Sequence, residues 1–528
     1  GERLPDRLPR VQYPTGGGSV AWLPDNSGVL YTRYPLPGER PEADLNFFQQ
    51  IYLHKLGSDP KTDTHSAGRD FPRIAEIDLH ASDCGRWILA SVANGDGGEF
   101  SHHVISTAPN AGWRQITRHE DAIKEIAFSE DGNTLFLRSV KDAPRGKVLA
   151  CATEKDLSSA TVIIPESDAV IERVLPTTRA LYTVDMIGGP SRIREFSLTG
   201  TIRREIPLPV ASGIAGVLAF ENDLLFRQTS FVAPAAWMRY APSSGAVKQT
   251  AMFNTSPVDF SDIEAVREFA LSRDGTKVPM NILRKKGTPL NGDNPTLLYG
   301  YGGYGHCMRP GFNFEHRLWF DRGGVYVIAN LRGGGEYGES WHLAGNLTNK
   351  QNVFDDFAAC AKHLISSGYT RPDRLAAEGG SNGGLLMGAF LTQNPQLSRA
   401  VVGHVGIYDM LRVELDPNGA FNITEFGTVK NPDHFKALHA YSPFHQVKDQ
   451  TPYPAVFLLA GETDGRVNPA HSRRMTARLQ AATASGHPVL ARFSAASGHG
   501  MGTGLSERIA QKADVLTFLF DQLEATKR

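Results

Sequence analysis

The sequence predicts two parts of different fold class, an all-β half followed by a doubly wound, mostly parallel α/β half. Three observations lead there. Through about residue 255, apolar and polar residues alternate in short runs broken by turn clusters, which is the period of half-buried strands. Within that half a strand, an Asp/Gly turn and a second strand recur as a unit. From about residue 265, apolar runs suited to a buried parallel sheet alternate with stretches of helical period.

The repeat is clearest in SVAWLPDNSGVLYTRY (19–34), IDLHASDCGRWILASV (77–92) and IKEIAFSEDGNTLFLRSV (123–140). Two weaker units follow, VIERVLPTTRALYTVDM (170–186) and IAGVLAFENDLLFRQTSF (214–231). Repeats of roughly 50 residues whose units are β-meanders predict propeller blades, which bury their faces against neighbours. Residues 1–258 are therefore expected to hold about five blades and 259–528 the α/β part. In the second part TLLYG, VYVIANL, RLAAEGG, PAVFLLAG and PVLARFS read as strands, while FDDFAACAKHLISSG (354–368) and HSRRMTARLQAATAS read as helices.

Composition narrows the functions open to such a chain. Its 528 residues exceed what one core usually serves. A formal net charge of −1 lacks the basic excess that neutralising phosphates would require, so no nucleic-acid partner is expected. No apolar run reaches the ~18 residues of a membrane helix, so no membrane partner is expected either. Cys84, Cys151, Cys307 and Cys360 are scattered singly, as free thiols would be. That usage points to the cytoplasm, with a periplasmic or secreted location as the alternative. The opening GERLPDRLPR has neither an initiator Met nor a signal-peptide core, so a missing or processed N-terminus is expected.

The chemistry centres on Gly379-Gly380-Ser381-Asn382-Gly383-Gly384, which contains G-x-S-x-G between a strand and the helical LLMGAFLTQ. A nucleophile elbow demands that strand, turn and helix, and the α/β-hydrolase fold carries it. The tight turn strains the Ser backbone, so its flanks need residues without a Cβ, and Gly379 and Gly383 supply them. The competing reading is a plain turn or an anion site at a helix start. A serine hydroxyl becomes nucleophilic through a base that an acid orients, and the chain order in such folds is Ser, Asp or Glu, His. Asp464 in GETDGRV follows the strand PAVFLLA, and His499 in ASGHGMG follows PVLARFS. Glu462 shares the first of these loops and competes with Asp464. For the oxyanion, the Asn382 backbone N–H directly follows the nucleophile, and the tyrosines of Tyr299-Gly300-Tyr301-Gly302-Gly303-Tyr304 are candidates for a second donor, with packing groups as the equal alternative.

With these residues placed, the chain resembles the prolyl oligopeptidase family of serine peptidases over about 265–525. The stretches LLYGYGGYG, NLRGGGEYGESWH, NKQNVFDDF, SSGYTRPDRL, GGSNGGLLMG, YSPFHQVK, TDGRV and GHG carry the resemblance in order. It implies an α/β-hydrolase domain capped by a seven-bladed propeller, of which this β half looks like the later blades, with the family's first blades and leading segment missing. It also implies a triad of Ser381, Asp464 and His499, and an oxyanion site made by the Tyr301 hydroxyl and the Asn382 amide. Arg466 would bind a substrate carbonyl. Tyr304, Ile407, Phe426 and Val467 would line an apolar pocket for a small ring. Asn422 falls where the family has the tryptophan that stacks on proline, with Phe421 as the nearest aromatic to take its place.

The expected activity is hydrolysis of short peptides after proline or a small residue, without cofactor or metal, by a monomer acting on oligopeptides. The alternatives are an esterase, an acylaminoacyl- or dipeptidyl-type peptidase on the same scaffold, and a non-catalytic propeller that binds peptides. Other signals fall away. Arg332-Gly333-Gly334-Gly335 lacks the spacing of a phosphate loop, His102 and His103 point to opposite strand faces, and Asp355-Asp356 are expected to begin a helix as structural charges.

Overall fold

The computed structural model describes residues 4–11 and 17–525. Five four-stranded antiparallel sheets cover 20–67, 75–117, 123–164, 170–206 and 213–253, each with its strands in sequence order. Every repeat unit read from the sequence is the first hairpin of one sheet. The unit at 123–140, for example, pairs Leu137 with Ile126 and Leu135 with Phe128. Alternate side chains of an inner strand bury against opposite neighbours, as blade packing requires. Leu135 and Leu137 join Leu89 and Val104 of the second sheet, while Phe136 joins Ile171 and Leu181 of the fourth. The outer strands escaped the sequence pattern because little of them is buried: Ile202–Ile206 hides only Ile206, and Ala246–Phe253 hides no residue fully.

Eight strands form the sheet of the second part: β1 (Ile263–Leu271), β2 (Lys277–Lys285), β3 (Thr296–Tyr299), β4 (Val325–Ala329), β5 (Leu375–Gly380), β6 (Ala400–His404), β7 (Ala455–Gly461) and β8 (Val489–Ser494). Their order is β1-β2-β4-β3-β5-β6-β7-β8, antiparallel over the first two pairings and parallel from β4 to β8. Both faces are covered. Leu298, Ala377, Val401 and Leu458 pack under α1 (Gln351–Ser366), α2 (Asn382–Gln393) and α3 (Ala470–Ala482). Leu297, Ala376, Val402 and Phe457 face the other way, toward Trp319, Phe320 and α4 (Leu505–Gln522). A strand buried on both sides loses the polar half of its alternation, which explains the unbroken apolar runs in the sequence.

The acidic pair Asp355-Asp356 lies inside α1, which begins at Gln351, rather than at its start. Asp356 is fully buried and holds Arg332, with Arg332 Nη2 2.6 Å from Asp356 Oδ1, and Asp274 closes on the same guanidinium. The glycine-rich turn after β4 is thus pinned to α1 by a buried ion pair. The two halves of the chain also touch directly. Phe47, in the loop before the third strand of the first sheet, stacks on Phe421 at 5.4 Å, Lys124 bonds Glu339 at 2.9 Å, and Glu172 pairs with Arg309.

Phe357 in α1 lies fully buried against Phe390 of α2, 5.0 Å between rings, and beneath Gly300 at the end of β3. Phe357→Ala is expected to destabilise the α/β part by about 3–5 kcal/mol through lost burial and a residual cavity. A fall in the denaturation midpoint, followed by urea titration, checks it.

Candidate active site

Ser381 sits between β5 and α2 with φ +58° and ψ −118°, a left-handed backbone that side chains rarely adopt. The turn is possible because its flanks are bare: a Cβ on Gly379 would meet Gly383 O at 2.5 Å, and one on Gly383 would meet Gly300 O at 2.7 Å. Ser381 N donates to His404 O at 2.8 Å, which ties the elbow to β6. His499 follows β8 and Asp464 follows β7, so all three residues rise from the carboxyl edge of the sheet, where ligands bind in such folds.

The structure brings these three together. His499 Nε2 lies 3.0 Å from Ser381 Oγ, and His499 Nδ1 lies 2.7 Å from Asp464 Oδ2. Asp464 is buried, and its second oxygen accepts from the backbone N–H groups of Arg466 and Val467, both at 2.9 Å. Glu462, the competing acid, instead pairs with Arg473 at the surface. An imidazole held in this way can take the serine proton while the fixed carboxylate stabilises the resulting cation.

The oxyanion donors expected from the sequence both lie beside Ser381. The Tyr301 side chain lines the same cleft as Ser381, and burial, then the Glu425 charge, pushes its pKa up to about 12, so its hydroxyl stays a donor at neutral pH. Asn382 N–H opens α2, and the Asn382 side chain donates to Tyr301 O at 2.6 Å, locking the two donors to each other. Beneath this loop lies a buried network that no sequence signal announced. Lys350 Nζ donates to Gly302 O at 3.1 Å and to Glu425 at 2.9 Å, and Glu425 meets His342 Nε2 at 2.8 Å. Burial pushes the Glu425 carboxyl up, yet Lys350 and His342 hold it below the usual carboxylate range.

A cleft of about 420 Å³ opens on Ser381 and His499 and is lined by Tyr304, Ile407, Asn422, Arg466 and Val467 among others. Two expected lining residues lie elsewhere. Phe421 turns to the β half and stacks on Phe47, away from the cleft, so it does not take the stacking place expected for it. Phe426 stands one layer back, edge-on to the Tyr304 ring at 5.7 Å. The cleft also contains residues the sequence reading missed: Asp96, His306, Cys307, Arg309 and Asn418. Asp96 comes from a turn of the second sheet, and nothing local distinguishes that turn from the others. Burial pushes its carboxyl up to about 6 against the opposing pull of Arg466, and burial together with Asp96 pushes nearby Glu76 up to about 7. A larger cavity of about 580 Å³ between the two halves shares Tyr304, Gly305, Cys307 and Arg309 with the cleft.

Comparison with known proteins agrees along the whole chain. Residues 310–526 match the model of the prolyl oligopeptidase family, and residues 1–252 match that of the prolyl oligopeptidase N-terminal β-propeller domain. A prolyl endopeptidase of Elizabethkingia miricola is 34% identical over 509 residues, covering 94% of this chain and 71% of the relative. One from Dictyostelium discoideum is 32% identical over 568 residues, covering 98% and 71%. Among solved structures, one from a study of two prolyl endopeptidases superposes with a TM-score of 0.89 at 34% identity, covering 96% of this chain and 75% of that one. Prolyl oligopeptidase B of Galerina marginata, bound to a 25-residue macrocyclization substrate, superposes with a TM-score of 0.90 at 26% identity, covering 100% and 74%.

Two predictions follow from the polar groups around the cleft. Asp96 has a folded-state pKa above its ordinary 3.8, so it favours folding at pH below about 4 and loses that contribution as pH rises through about 6. Asp96→Asn should therefore melt higher than the parent at pH 8, by a margin that shrinks at pH 5 and vanishes only below about pH 4, as thermal scans across these pH values would show. Glu425→Gln leaves Lys350 buried beside a weaker acceptor and loosens the Tyr301 loop. It should lower kcat about tenfold or more with little change in KM, read by steady-state kinetics.

Proposed function

The chain belongs to the prolyl oligopeptidase family and is a serine peptidase, and from that premise we propose that it cleaves short peptides after proline or a small residue through Ser381. The observation that carries this reading is the pair of contacts from His499, 3.0 Å to Ser381 Oγ and 2.7 Å to Asp464. His499 takes the serine proton as Ser381 attacks the peptide carbonyl. Asp464 holds the imidazole in the tautomer that allows this and stabilises its cation. Charge developing on the carbonyl oxygen is met by the Tyr301 hydroxyl and the Asn382 N–H, both in position before reaction, so no reorganisation is needed. His499 then returns its proton to the leaving amine, and a water deprotonated by the same ring releases the acid.

Arg466 lines the cleft beside Ser381 and binds a substrate carbonyl on the acyl side, using its rigid fork of donors. Ile407 and Val467 supply apolar surface for the ring of the residue that provides the scissile carbonyl, here called P1. The cavity between the halves holds the rest of the peptide. Because the propeller roofs the catalytic edge across contacts such as Phe47 on Phe421, folded proteins are excluded and oligopeptides admitted. We read the functional boundary between the halves at 258/259 and the working unit as a monomer.

A fluorophosphonate probe should label the intact protein and fail to label Ser381→Ala, and a P1 peptide library read by mass spectrometry should show cleavage after proline. Labelling that survives the substitution, or a library with cleavage after neither proline nor a small residue, would sink the reading. Tyr301→Phe should lower kcat by about 10²-fold, the usual effect of losing one oxyanion donor, while probe labelling persists at a slower rate.

A further inference from the structure

The cleft beside Ser381 offers more hydrogen-bonding capacity than an unsubstituted proline ring can use. Its apolar surface comes from Ile407 and Val467, both buried. Beside them, Tyr304 Oη donates to Asn422 Oδ1 at 2.9 Å, and Asn422 Nδ2 donates to Asn418 O at 3.3 Å. A phenol that has given its one proton still accepts, and an amide NH₂ that has given one proton still has a second. The pair therefore carries one acceptor and one donor not used between themselves. Asn418, which also lines the cleft, is 6% exposed, and its Oδ1 is buried without a hydrogen-bond partner among the described residues. Covering a donor or acceptor without pairing it is costly, so this polar wall favours a ligand that pairs with the Tyr304–Asn422 acceptor and donor over one that only covers them.

The pair is also held in place before any ligand arrives. Tyr304 has φ +57°, a conformation that non-glycine residues adopt rarely and that clusters at ligand-binding positions. Its ring is braced edge-on by Phe426, and its loop is tied through Gly302 O to buried Lys350. Asn422 is 7% exposed within the turn Gly419–Asn422. A hydroxyl is the smallest group that both donates and accepts, and on a five-membered ring it would extend past the methylenes packed on Ile407 and Val467.

We propose that this pocket selects 4-hydroxyproline over proline at P1, the ring hydroxyl donating to Tyr304 Oη and accepting from Asn422 Nδ2. The inference rests on the reading of the cleft as the P1 pocket of a post-proline peptidase. Proline presents only CH₂ to the pair, so binding it strips water from a donor and an acceptor and returns nothing. A site built to bond a substrate hydroxyl discriminates strongly against the analogue without one, whereas an apolar pocket discriminates weakly the other way.

The test compares two N-blocked dipeptide coumarin amides, Gly-Pro and Gly-4-hydroxyproline, on the full chain. The expected kcat/KM ratio favours hydroxyproline by about tenfold, the loss typical of a pair of unmade hydrogen bonds in a confined site. Tyr304→Phe keeps the ring and removes only the hydroxyl, and Asn422→Leu removes the amide; both should bring the ratio to one or below. A parental ratio of one or less, or a ratio unchanged in Tyr304→Phe, overturns the inference while leaving post-proline cleavage intact. Cleavage of neither substrate by protein that still takes up the fluorophosphonate probe overturns the post-proline reading itself, and this inference with it.

Discussion

The turn at Ser381 constrains everything around it. Strand β5 must end, reverse and enter α2 within a few residues while presenting one hydroxyl above the sheet edge. That holds only if the chain can approach itself without Cβ atoms at Gly379 and Gly383 and if Ser381 accepts a left-handed backbone. The cost of that strain, of order 1–3 kcal/mol, is offset by the packing of α2, whose residues from Asn382 to Leu391 are buried. Once the elbow is formed, Asn382 opens α2 directly after Ser381, and its side chain fixes Tyr301. Ser381, Asn382 and Tyr301 are therefore held by one local geometry.

Around the elbow, buried charges hold the loops. Arg332 with Asp356 fastens the turn after β4 to α1, and Lys350 with Glu425 and His342 lies under the Tyr301 loop. Ion pairs of this kind gain little net stability, because desolvation consumes most of the attraction. Their effect here is on position: each ties a glycine-rich segment, which would otherwise sample many backbone states, to a helix or turn of the α/β core. The freedom that glycines give such loops is thereby removed at Tyr301 and Arg332.

The β half contributes to the site as well as covering it. Phe47 anchors Phe421, which turns the Gly419–Asn422 segment so that Asn422 instead reaches the cleft. Asp96 enters the same cleft from the second sheet and sets a carboxyl beside Arg466. The pocket is thus polar on the side that the propeller touches and apolar on the side built from Ile407 and Val467.

Much of this was legible in the residues alone, for local reasons. G-x-S-x-G between a strand and a helix, the order of Asp464 and His499 after successive strands, and the hairpin repeat are all short-range patterns that a chain writes into consecutive positions. The outer blade strands were not legible, because exposed strands such as Ile202–Ile206 lose the apolar alternation that marks their inner neighbours. Nor did the sequence separate Asp464 from Glu462, two residues apart in one loop; only the fold turns one toward His499 and the other toward Arg473. Asp96, the Lys350 network and the direction of Phe421 depend on contacts between segments tens to hundreds of residues apart. Their reason lies in how two separately folded surfaces meet, and periodicity within a segment carries no record of that.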